Sequence, residues 1–190
     1  MRAAFDPLAI AQLVIDVFDR LGAAYSIGGS IASAFAGEPR STLDVDIVVD
    51  LTLADVDIVE NALDNEFYFD RDRLRQAVND RASVNLIHVE SSTKIDLFIA
   101  GGTPLDGALL QRRRHEAVGD PPRHIFVHTP EDILLQKLRW FRLGGETSDR
   151  QWRDVVGIVQ VQGARLDHSY LSEGAAQLGV GDLLDRALTG

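Results

Sequence analysis

Apolar residues recur at helical spacing from Leu8 through Ala11, Ile15 and Phe18 to Leu21. Asp6-Pro7 supplies an N-cap followed by proline at the first helical position, and Gly22 ends the run. The pattern then shortens. Ala24 to Ile27 predicts a strand, Ser30 to Ala36 a small-residue helix stopped by Gly37, and Asp44 to Val49 a β-rich strand. An amphipathic helix is expected over Leu53 to Leu63. Two further strands are expected at Val84 to Val89 and Lys94 to Ile99, parted by the turn-prone Glu90-Ser91-Ser92. Residues 67–79 are too dense in charge to assign, and the pattern loosens again after Gly101-Gly102 before a strand at Ile125 to Val127. From Thr129-Pro130-Glu131-Asp132, a capped helix opening with acids in its first turn, only helices follow. They run to about Leu143, from Asp149 to about Gln162, and around Tyr170 and Leu183. The order predicts an α+β core over residues 1–128 with a mixed β-sheet, and a helical C-terminal subdomain over 129–190.

Composition narrows the class. With 190 residues, 45% hydrophobic and 25% charged, the chain suits one globular domain and excludes a disordered chain, a collagen or a coiled-coil rod. The absence of cysteine removes disulfides, thiolate metal sites and a cysteine nucleophile. Charged residues interrupt the N-terminal apolar run, and no stretch reaches the ~18 apolar residues of a membrane span, so a cytoplasmic location is expected. Net charge is −10, and it is uneven: residues 1–100 carry −9 and residues 101–190 carry −1. This argues against a broad phosphate-tracking surface, although residues 112–153 are locally basic. An acidic front half beside a basic later stretch suits an acidic, metal-dependent site that draws its cations from elsewhere in the chain.

Three pieces carry candidate chemistry. Gly28-Gly29-Ser30 stands between a strand and a helix, where glycines admit close backbone approach and the helix N-terminus offers N–H groups to a phosphate. By itself the triplet is equally an ordinary turn. Asp44-Val45-Asp46 on a strand points both carboxylates to one side, with Val45 and Ile47 toward the core. Like charges so placed either line a solvated edge or hold a cation such as Mg2+. Lys94-Ile95-Asp96-Leu97-Phe98 puts Lys94 and Asp96 on one face of another strand. If the two strands are neighbours, Asp44, Asp46 and Asp96 converge within about 4–6 Å of one another. Three carboxylates at that range can hold two metals for in-line displacement at phosphorus.

Gly28-Gly29-Ser30, then Arg40-Ser41-Thr42-Leu43-Asp44-Val45-Asp46-Ile47, then Lys94-Ile95-Asp96-Leu97 resembles the nucleotidyltransferase superfamily that includes DNA polymerase β. Lys137, seventeen residues before Asp154 in Arg150-Gln151-Trp152-Arg153-Asp154, is similar to the late motifs of AbiEii-type toxin nucleotidyltransferases, as is Arg40 before Thr42. The resemblance spans roughly residues 24–160 and implies a polymerase-β-like core. It implies that Asp44, Asp46 and Asp96 bind two Mg2+ ions, with Asp96 helping to activate the incoming hydroxyl. Gly28, Gly29 and Ser30 would hold the NTP phosphates, and Lys137 would neutralise triphosphate charge. The implied reaction moves an NMP from an NTP to a hydroxyl of RNA or a small molecule, with an antitoxin protein as a further partner. Arg153 stands where the family usually has lysine, and the C-terminal motif is short. A non-catalytic nucleotide- or partner-binding relative and an antibiotic-type small-molecule transferase are the alternatives.

The remaining candidates read more plainly. Arg112-Arg113-Arg114-His115 reads as a phosphate grip or a solvated helix end. His88, His115, His124, His128 and His168 show no metal-ligand spacing. Trp140 and Trp152 fall on the apolar faces of their helices and are expected in the core, and Lys137 at the edge of such a face is expected to reach the cleft.

Overall fold

A computed structural model describes residues 6–37 and 44–189. The Arg40-Ser41-Thr42-Leu43 part of the motif lies outside the described residues. The first helix, α1 (Pro7–Leu21), is capped by Asp6, whose carboxylate accepts from Leu8 N at 3.0 Å, and it closes on a left-handed Gly22. Then come β1 (Tyr25–Ile27), α2 (Gly29–Ala36), β2 (Asp44–Val49), α3 (Val56–Leu63), β3 (Phe67–Tyr68), α4 (Arg71–Asp80), β4 (Ser83–His88) and β5 (Lys94–Ile99). The chain continues through α5 (Asp106–Arg112), β6 (Arg114–Val118) and β7 (Arg123–Val127) into α6 (Pro130–Leu143), α7 (Asp149–Gln162), α8 (His168–Leu178) and α9 (Gly181–Thr189). The expected α+β architecture, with strands and helices mixed before Thr129 and helices only after it, is the one observed.

Where the elements depart from the sequence pattern, local chemistry explains the difference. α3 begins at Val56 rather than Leu53, because Asp55 accepts from Thr52 N and Oγ1 and folds the preceding residues into a turn. The charged stretch over 67–79 contains β3 and most of α4. That helix buries only Leu74, Ala77 and Val78, a stripe too narrow to show among so many charges, and it is capped by Asp70, which accepts from Arg73 N. β6 has almost no apolar signal because it is an edge strand, held by its ladder to β7.

The seven strands form one mixed sheet in the order β3-β4-β5-β2-β1-β7-β6. β2 pairs with β5, and β1 with β7, in parallel; the other neighbours are antiparallel. Alternation along β2, β4 and β5 sends Val45, Ile47, Val84, Leu86, Ile95 and Leu97 into the main core. The opposite face is covered at one end only, where α5 packs Leu109 and Leu110 on Val48 beside Ala100 and Phe98. Its other end is left open and polar. One continuous cluster of buried side chains takes in both the strands and α6–α9. Among the described residues no helix is long and apolar enough to cross a membrane.

Candidate active site

The open end of the sheet face gathers the acidic residues. In the parallel ladder of β2 and β5, Asp46 stands opposite Asp96 and Asp44 opposite Lys94. Two carboxylates thus share one rung, with a third one residue pair away on the same face. Lys94 Nζ reaches Asp96 Oδ2 at 2.8 Å, while Asp96 Oδ1 is buried and has no hydrogen-bond partner among the described residues. Burial, reinforced by the charges of Asp96 and Asp44, raises the Asp46 carboxyl above its ordinary range; Lys94 and Lys137 act in the opposite direction. The hydrogen bond to Asp96 raises the Lys94 ammonium and keeps it charged. Among the described residues no three His, Cys, Asp or Glu side chains stand in a metal-holding arrangement. What the fold brings face to face is the Asp46–Asp96 pair.

The start of α2 closes over this pair. Gly28 N donates to the Asp46 carbonyl at 2.8 Å, which pins the strand-to-helix turn above β2. Gly29 adopts φ +56, and a Cβ there would lie 1.7 Å from Asp46 Oδ2. Only glycine leaves room for the carboxylate. Gly28, Gly29 and Ser30 all line a cleft of about 610 Å3 together with Asp44, Asp46, Asp96 and Lys137. The three aspartates, the glycine turn and Lys137 singled out from the sequence therefore line one cavity, and the arginine cluster does not.

His128 lies behind Gly28, a placement its sequence context did not signal. A Cβ on Gly28 would come within 2.6 Å of His128 Nε2, an atom without a partner among the described residues. Nδ1 shares a 2.7 Å hydrogen bond with Ser26 Oγ. Burial pushes the imidazole pKa down from 6.5 to about 3. The folded protein then binds fewer protons than the unfolded chain, so this contribution is intact above pH 6.5 and is lost as pH falls below it. The loss is about 1.4 kcal/mol per pH unit. His128→Gln is expected to flatten the stability curve between about pH 6.5 and 4.5, measured by urea unfolding at stepped pH. Parallel curves for the two proteins would mean that the fold accepts a charged His128.

The second wall of the cleft belongs to α6 and α7. Lys137, 6% exposed, donates to Asp154 Oδ2 at 2.7 Å and to Gln151 Oε1 at 3.5 Å. The two late motif residues thus meet as a nearly buried ion pair. The pair ties α6 to α7. Lys137→Met is expected to cost about 2 kcal/mol, because Asp154 is left largely buried without its cation. Asp154→Asn on that background should recover part of the loss, read as paired urea midpoints; an additive double mutant would show that the contact contributes nothing.

Trp152 packs on Phe141 at 5.3 Å as expected of the core, but Trp140 is 50% exposed on the cleft wall. The correction has a simple cause. Phe141 and Leu138 fill the buried stripe of α6, which rotates Trp140 outward. The arginines at the end of α5 are half-buried and tied to neighbouring elements. Arg112 lies 3.9 Å over the Tyr170 ring and pairs with Glu131 and Asp167, Arg113 stacks on Phe126, and Arg114 pairs with Glu116. Asp132, read in the sequence only as a first-turn acid of its helix, is buried beside the cleft. It accepts from Tyr170 OH at 2.5 Å and from Thr129 Oγ1 at 2.7 Å, locking α8 to the start of α6. Burial raises its carboxyl, which those two hydrogen bonds partly offset.

The donor set suits a divalent cation. Asp46 and Asp96 offer clustered carboxylate oxygens, one of them buried and without a hydrogen-bond donor, and like charges there are relieved by a hard cation.

No protein-family model matches the chain, and no curated protein is similar to it. Solved structures are similar in fold. The antibiotic-resistance factor ANT(2'')-Ia matches with a TM-score of 0.60 at 10% identity, over 94% of this chain and 96% of that one. An antigenic nucleotidyltransferase-like protein from Paracoccidioides brasiliensis matches with a TM-score of 0.56 at 18% identity, over 96% and 91%. The fold expected from the sequence is the fold found.

Proposed function

We propose that the chain is a nucleotidyltransferase that moves an NMP from an NTP to the hydroxyl of a small molecule and releases pyrophosphate. The observation that carries this reading is the Asp46–Asp96 rung beneath the glycine-opened start of α2. Asp46 and Asp96 would hold Mg2+, which when bound neutralises triphosphate charge and acidifies the acceptor hydroxyl; Asp44, opposite Lys94, stands outside that pair, which corrects the expected three-carboxylate cluster. Asp96 Oδ1, without a donor of its own, accepts the hydroxyl proton as the acceptor oxygen bonds to the α-phosphorus. The bond from that phosphorus to the β-phosphate oxygen breaks as the new one forms. N–H groups at Gly29 and Ser30 hold the departing phosphates, and the helix terminus favours their charge. Lys137 contributes positive charge from the opposite wall, oriented by Asp154.

A small-molecule acceptor is favoured over RNA by charge. The chain carries −10 overall, and Arg112 and Arg113 of the arginine cluster are engaged by a carboxylate and an aromatic ring of the fold. Similarity over nearly the whole of both chains to an antibiotic-resistance factor supports the same choice. The RNA acceptor and antitoxin implied by the AbiEii-type resemblance rest on motif residues alone.

The test is to incubate the protein with Mg2+ and α- or γ-labelled NTPs, offering a panel of neutral and aminated polyols or total cellular RNA. The α-label is expected in the small-molecule fraction and the γ-label in pyrophosphate. Label in RNA would reassign the acceptor. Absence of pyrophosphate from every NTP would leave a non-catalytic nucleotide- or partner-binding protein.

A further inference from the structure

Packing turns Trp140 out of the core and onto the cleft wall, where the proposed chemistry gives it no role. Its helix neighbours Leu138 and Phe141 are 0% and 4% exposed, yet Trp140 is 50% exposed and lines the cavity that holds the carboxylates. Arg139 and Arg150 line the same cavity. Among the described residues neither arginine has a carboxylate within ion-pair distance, whereas Arg112, Arg114 and Arg142 do. A large aromatic face thus stands beside two uncompensated cations. It lies three residues, about 4.5 Å along the helix axis, beyond Lys137, whose charge reaches Asp46.

We propose that Trp140 is the platform on which the nucleobase of the NTP stacks, and that the site accordingly prefers purine triphosphates. This rests on the nucleotidyltransferase reading above. The flanking arginines decide between the two substrates: they attract an anionic nucleotide and repel an aminated acceptor. One helix turn between Lys137 and Trp140 leaves the ribose to bridge phosphate and base. Stacking tolerates any base, because each has a π-face, but it strengthens with ring area, and purines present two fused rings.

Fluorescence tests it directly, because the chain has two tryptophans. In Trp152→Phe the remaining emission belongs to Trp140. This protein is titrated with magnesium complexes of the non-hydrolysable α,β-methylene analogues of ATP, GTP, CTP and UTP, and with inorganic tripolyphosphate, each binding checked by calorimetry. Purine analogues are expected to quench Trp140 and to bind about fivefold more tightly than pyrimidine analogues. Tripolyphosphate should bind without quenching. Trp140→Ala should weaken the purine analogues on the order of tenfold and tripolyphosphate less than about twofold, with Trp140→Phe recovering most of the difference. Analogue binding that leaves both the emission and the Trp140→Ala affinity unchanged would overturn the stacking role alone. Failure of every analogue and of tripolyphosphate to bind would overturn the nucleotidyltransferase reading and the stacking role together.

Discussion

Asp46→Asn is expected to abolish nucleotidyl transfer, by on the order of 10³-fold or more, while the metal-free protein melts no lower than the parent. The two halves of this expectation have one cause. Asp46 is half-buried on the rung it shares with Asp96, and its carboxyl is raised by desolvation and by the charges of Asp96 and Asp44. Held there without a cation, the carboxylate opposes folding; with a cation and a triphosphate, it is what binds them. Neutralising it removes repulsion worth about 1 kcal/mol, which for a chain of this length raises Tm by about 2–4 °C. Transfer rates with labelled NTP and calorimetric melts in EDTA measure the two halves separately. A lower melting temperature together with retained transfer would make Asp46 a structural residue held by cations of the fold.

Gly29→Ala should be damaging in both respects. At φ +56 an alanine is strained by about 1–2 kcal/mol, and its Cβ would sit 1.7 Å from Asp46 Oδ2, so the carboxylate must move. The expected outcome is a transfer loss comparable to that of Asp46→Asn, with Tm lower by about 3–10 °C. Gly22→Ala supplies the control. Its φ is +67, but nothing lies within 4 Å of the added Cβ, so it should lower Tm through backbone strain and leave the transfer rate within about twofold. If Gly29→Ala keeps as much activity as Gly22→Ala, then Gly29 serves the turn and not the carboxylate.

The half of the molecule that carries the carboxylates was legible because its signals are local. A strand that reads Asp-Val-Asp can place both acids only on one face, and Asp6-Pro7, Thr129-Pro130 and Gly22 mark helix ends by their own backbone chemistry. The pairing of β2 with β5 stood in the sequence only as a condition, and the parallel ladder meets it. The helical wall was harder. Whether a tryptophan at the edge of an apolar stripe turns inward depends on which neighbours fill the core, and here Leu138 and Phe141 fill it. Nor could spacing show that Arg112 would stack on Tyr170, fifty-eight residues away, or that His128 would lie behind Gly28. Those placements are set by tertiary contacts between elements distant in sequence. The charged stretch of α4 concealed a helix because only three of its residues are buried.

The central claim is that the Asp46–Asp96 rung is the metal and nucleotide centre, and anomalous diffraction tests it most directly. Crystals grown with Mn2+ and an α,β-methylene NTP should show an anomalous peak within about 2.0–2.3 Å of carboxylate oxygens of both Asp46 and Asp96. The triphosphate should meet the N–H groups of Gly29 and Ser30, and Lys94 should have left Asp96 Oδ2. A peak remote from both carboxylates, with the Lys94–Asp96 pair intact and the nucleotide bound elsewhere, would contradict the account.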